Sequence, residues 1–142
     1  MAHYLVATDA DWILEQVQAA LGGPDTIWTI CRSGRAVRQG VAEAKTPVDA
    51  ALLDLQIGTM GGMAVTLDLR LEESGGRLPH VPVVMLLDRS ADVFLAQRSA
   101  AEGWLIKPLD PIRLRKAVTA LLGGGTYFDT AYKPAESAAA AR

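Results

Sequence analysis

The stretch ALLDLQIGTMGG, residues 51–62, ends a buried-looking aliphatic run in a single acid, Asp54, and follows it with a glycine-containing loop. A carboxylate at the rim of an apolar strand is costly unless something offsets its charge. Where that partner comes from decides the fold.

The aliphatic run belongs to VDAALLD (48–54), and four other segments share its character: HYLVAT (3–8), TIWTIC (26–31), VPVVMLL (81–87) and WLI (104–106). Continuous rather than alternating apolar character predicts strands covered on both faces. Segments of helical spacing lie between them. Asp11 is placed to cap a helix that carries Ile13, Val17 and Leu21 on one face and stops at Gly22-Gly23-Pro24. Ser33 is placed to cap the next, with Val37 and Val41 inward. From about Gly62 to Glu72 the residues Ala64, Leu67 and Leu71 fall on one stripe, ending in SGG (74–76). Ser90 starts a fourth helix through Phe94 and Leu95. Asp110-Pro111 is an N-cap and first-turn pair for a fifth, which holds Leu114, Val118 and Leu121. Five βα units in series predict an α/β domain with a doubly wound parallel sheet, right-handed crossovers and a crevice at the C-terminal ends of the strands.

The composition narrows the functional classes. With 142 residues, 50% of them apolar, the chain suffices for one domain with a real core. Fourteen Lys and Arg against 16 Asp and Glu leave a net charge of −2, without the basic surplus of a dedicated nucleic-acid binder. No aliphatic run approaches a membrane span, and MAHYLVATDAD lacks the basic and apolar regions of a signal peptide, so a soluble, cytoplasmic protein is expected. Cys31 is the single cysteine, and its neighbours TIWTI predict a buried, inert thiol.

The predicted sheet answers the opening question. The C-terminal ends of the first, third and fifth strands bring together Thr8 and Asp9, then Asp54, then Lys107. Two carboxylates with a backbone carbonyl form a hard-oxygen set suited to Mg²⁺, and the lysine adds a second positive centre. Such a group fits phosphoryl transfer to a carboxylate nucleophile. Other chemistries lack their parts. TDADW has no phosphate-cradling glycines, GGG at 123–125 follows a helix rather than a strand, and no Ser/His/Asp or Cys/His set falls at the crevice.

From about His3 to Gly123 the chain resembles the receiver domain of two-component response regulators. The resemblance rests on LVATDAD, LLDLQIGTMGG, PVVMLLD and EGWLIKPLDP in that order, with Lys107-Pro108, a pair whose peptide bond is usually cis, as the most specific part. It implies a flavodoxin-like (βα)5 fold with five parallel strands in the order 2-1-3-4-5. It implies a signalling module rather than an enzyme. By the same resemblance Asp54 matches the phosphoacceptor, Asp9 a metal-binding acid, Gln56 the residue lending its backbone carbonyl to Mg²⁺, and Lys107 the phosphoryl-contacting lysine. A sensor histidine kinase or another signalling protein is the implied partner, and the face of the fourth helix, fifth strand and fifth helix is the implied homodimer surface.

Three departures stand out. Thr8 replaces the first of two adjacent acids, which should weaken the hold on a divalent ion. Leu87 replaces the Ser or Thr at the end of strand four and cannot donate a hydrogen bond to a phosphoryl group. Trp104, at the aromatic switch position, stands beside that leucine. Gly58 replaces a common proline and frees the loop after Asp54.

The resulting expectation is an atypical, stand-alone receiver over residues 1–123 with weakened switch coupling, followed by a flexible tail at 124–142. The alternative is a phosphorylation-independent pseudo-receiver that binds a protein or small molecule; a flavodoxin-like cofactor enzyme has only the fold class behind it. His3 and His80 are expected at the surface, and Arg32, Arg35 and Arg38 on a solvated helix face rather than as a basic stripe for an acidic partner.

Overall fold

The computed structural model describes residues 2–129. Strands β1 (His3–Ala7), β2 (Ile27–Cys31), β3 (Ala50–Asp54), β4 (Val83–Leu87) and β5 (Gly103–Ile106) alternate with helices α1 (Asp11–Leu21), α2 (Arg35–Ala42), α3 (Gly62–Ser74), α4 (Val93–Arg98) and α5 (Pro111–Leu122). A short β6 (Tyr127–Phe128) follows. All pairings are parallel, and the sheet runs β2-β1-β3-β4-β5-β6. The predicted order of the first five strands therefore holds, and a sixth is added at the β5 edge.

Alternation along the strands divides the core in two. Leu5, Leu53, Met85, Leu87 and Trp104 point to the side of Val37 of α2, Leu69 of α3 and Ala96 of α4. Val6, Leu52, Leu86 and Leu105 point to the side of Ile13 and Val17 of α1 and Leu114 and Val118 of α5. Asp110 caps α5 as predicted, its side chain accepting the Arg113 N–H at 2.9 Å, with Pro111 in the first turn.

Other local expectations are corrected. Asp11 is the first residue of α1 and makes no capping bond; it pairs instead with Arg32 at 2.7 Å. Ser33 likewise gives way to Gly34 at the start of α2, where there is no side-chain cap. On α3 the buried residues are Gly62, Val65, Thr66, Leu69 and Glu72, while Ala64, Leu67 and Leu71 lie at the surface. Both stripes have i, i+4 spacing, so periodicity alone does not choose between them. Ion pairs from Arg38 of α2 to Asp68 and Glu72 accompany the observed rotation. Arg32, Arg35 and Arg38 are exposed, as expected of a solvated face, with Arg32 paired to Asp11 and Arg38 to α3. His3 is buried: its ring nitrogens meet the Thr46 carbonyl at 3.0 Å and the Thr29 hydroxyl at 2.7 Å. His80 is exposed, beside Glu73 and Glu102.

Past Gly123 the chain returns to the sheet. Gly124, at φ +83°, adopts the left-handed turn that ends α5, and the Gly125 N–H returns to the Ala120 carbonyl at 2.9 Å. The chain then runs alongside β5, so the start of the supposed tail is sheet. Residues 130–142 lie outside the described part.

Candidate functional site

Parallel register aligns the ends of β1, β3 and β5 at one rim: Ala7 is level with Leu53, Asp54 with Leu86, and Leu87 with Ile106. Thr8, Asp54 and Lys107 meet there. The Asp54 carboxylate is buried and held on both oxygens. Oδ2 accepts the Thr8 hydroxyl at 2.8 Å; Oδ1 accepts the Lys107 ammonium at 2.8 Å and the Gln56 N–H at 3.1 Å. The charge that the sequence left unexplained thus has a cation and two dipoles around it. Thr8 is itself fixed, its oxygen accepting the Ala10 N–H at 3.1 Å.

Lys107 has a second partner that sequence reasoning missed. Its ammonium also donates to Asp88 Oδ1 at 2.8 Å. Burial pulls the Lys107 pKa down, but the bonds to Asp54 and Asp88 outweigh it and leave the pKa above the ordinary lysine value. A signal was available: Asp88 ends the apolar run VPVVMLL as Asp54 ends its own. The Lys107-Pro108 peptide bond is cis, as the resemblance implied.

Asp9 is exposed beside Thr8, and its Oδ2 accepts the Gly58 N–H at 3.2 Å. Gly58 has φ +42°. A proline could supply neither that angle nor that N–H, so this glycine ties the loop after Asp54 to the end of β1 instead of merely loosening it. Leu87 is fully buried in the same core cluster as Trp104, and no hydroxyl stands at its position. Trp104 is buried and stacks on Phe128 with ring centroids 4.3 Å apart.

The oxygen donors fit a magnesium ion only sparsely. Asp9 and Asp54 are the carboxylates not taken up wholly by Lys107, and among the described residues no group of three or more His, Cys, Asp or Glu side chains converges on one point. Mg²⁺ tolerates such poverty because it keeps several waters and takes one or two carboxylates. Thr8 brings a hydroxyl rather than a carboxylate to this rim, and its proton occupies Asp54 Oδ2.

The sequence profile of the response regulator receiver domain matches residues 4–119. This chain belongs to the receiver family. Two response regulatory proteins of Mycobacterium tuberculosis are 32% identical to it over 124 residues, which cover 83% of this chain and 89% of theirs. Solved structures share the receiver fold. The chemotaxis response regulator CheY4 of Vibrio cholerae superposes with a TM-score of 0.72 at 22% identity, over 85% of this chain and 98% of that one. A LuxR-family response regulator from Aurantimonas superposes with a TM-score of 0.77 at 21% identity, over 98% and 99%. The receiver domain of the Pseudomonas aeruginosa sensor histidine kinase PA1611, with magnesium coordinated in its active-site cleft, gives 0.69 at 20% identity over 86% and 98%. Among the described residues of this receiver, no helix is long and apolar enough to cross a membrane.

Proposed function

We propose that this receiver accepts a phosphoryl group on Asp54 from a histidine kinase or another phosphodonor, with Mg²⁺ assistance, and passes the signal by contact with a partner protein. The 2.8 Å bond between the Lys107 ammonium and Asp54 carries this reading. In the step, an Asp54 oxygen forms the new P–O bond as the donor's P–N bond breaks, and the electron pair leaves with the imidazole nitrogen. Lys107 sits where it would neutralise charge on the phosphoryl oxygens. Asp9, Asp54 and the Gln56 carbonyl would hold the ion, which when bound screens charge between carboxylate and phosphoryl. The coupling of phosphorylation to shape is weakened, because Leu87 offers no hydrogen bond and fills the space beside an already buried Trp104.

A second reading, a phosphorylation-independent receiver, draws support from one observation: the Thr8 hydroxyl satisfies Asp54 Oδ2 without any cation. In either case the signalling face is assigned to the α4, β5 and α5 side of the domain, where β6 covers β5, for a partner or a second copy. It presents Phe94, whose ring lies 4.6 Å from the Arg98 guanidinium, and Phe128 from the strand beyond β5.

Titration with Mg²⁺ and beryllofluoride, followed by tryptophan fluorescence, tests the first reading. A response that appears only at millimolar Mg²⁺ and is lost in Asp54→Asn is expected. No Mg²⁺-dependent response, with partner binding unchanged in Asp54→Asn, favours the second.

A further inference from the structure

β5 is only four residues long, and without β6 it would be the open edge of the sheet. Residues 127–129 close that edge. The Tyr127 N–H donates to the Glu102 carbonyl and the Asp129 N–H to the Trp104 carbonyl, each at 3.1 Å. Phe128 covers the Trp104 ring from outside.

The Asp129 side chain reaches further toward the site. It is buried, its Oδ2 accepts the Ile106 N–H at 2.9 Å, and it pairs with the Arg113 guanidinium. Arg113 in turn donates to the Ile106 carbonyl at 3.2 Å and to the Pro108 carbonyl. Both polar groups of Ile106 are therefore gripped by one ion pair, and the Ile106 carbonyl belongs to the peptide that joins it to Lys107. On the opposite side the Lys107 N–H donates to the Leu87 carbonyl of β4 at 2.8 Å. The residue at 103 matches this arrangement. A Cβ there would lie 2.7 Å from the Tyr127 carbonyl oxygen, so only glycine lets 127–129 approach.

We propose that residues 127–129 are an intramolecular strap which clamps the C-terminal end of β5 and positions the Lys107 backbone from which the ammonium reaches Asp54. Asp129 and Arg113 are its positioning residues, and Phe128 is its anchor on Trp104.

Amide hydrogen exchange by NMR on the full chain tests this with Asp129→Asn and Phe128→Ala. The first is nearly isosteric; the second truncates a side chain that is 46% exposed, so it leaves both cores in place. In both variants the Ile106 and Lys107 amides are expected to exchange at least about ten-fold faster, while Leu5 and Leu52 in the centre of the sheet keep their wild-type rates. Equal acceleration at Leu52 would mean global loosening and would overturn the proposal. So would a freed Ile106 amide beside a Lys107 amide that keeps its wild-type protection.

Discussion

The Thr8 hydroxyl donates to Asp54 Oδ2 at 2.8 Å. A hydroxyl there supplies a hydrogen bond where a second carboxylate would repel Asp54 and call for a cation.

Thr8→Asp should create that need. Two unit charges about 4 Å apart at an effective dielectric constant of about 20 repel by about 4 kcal/mol, of which Lys107 offsets a part. In EDTA the melting temperature is expected to fall by roughly 10 °C, and millimolar Mg²⁺ should recover most of the loss while barely moving the wild type. Thermal melts with and without the ion check this; a variant indifferent to Mg²⁺ contradicts the assigned site.

Lys107 makes stability depend on alkaline pH. Its folded pKa is raised above the reference value of 10.5, so its contribution is whole below that value and is lost as pH climbs through the raised one. Lys107→Met leaves Asp54 with neutral donors only, a loss of about 1–3 kcal/mol. Urea denaturation should show that the gap between wild type and variant is constant from neutral pH to about 10.5 and narrows above it.

Leu87→Thr exchanges packing for the missing hydroxyl. Because Leu87 has no exposed surface, the variant should lose about 2–3 kcal/mol of stability. Its fluorescence response to beryllofluoride and Mg²⁺ should exceed that of the wild type. An unchanged stability would show that the side chain is not packed as described.

Gly58→Pro restores the residue common in the family and should nevertheless harm this chain. The φ of +42° lies outside the range of proline, and the N–H that Asp9 accepts disappears. A loss of about 2–3 kcal/mol is expected in chemical denaturation. Gly58→Ala keeps the N–H and should cost about half as much.

Much of this molecule arises from short-range pattern. The five apolar runs, the Asp110-Pro111 start of α5 and the acid and lysine at strand ends are local signals, and parallel βα topology obliges Asp54 and Lys107 to meet. What the pattern leaves open depends on pairs distant in sequence. The rotation of α3 is ambiguous because Leu67–Leu71 and Val65–Leu69 have the same spacing, and only packing against β3, β4 and α2 separates them. His3 reads as a surface residue because its partners Thr29 and Thr46 come from other elements. Asp88 becomes a site residue through a bond to Lys107 across the β4–β5 pair. β6, at two residues, is too short to carry any periodicity and exists because Gly103, Trp104 and Ile106 offer it an edge, a ring and an N–H. Composition and period determined which segments are strands and which acid meets the lysine; packing between segments decided helix rotation, the second partner of Lys107 and the closure of the sheet, because those rest on contacts that no local window contains.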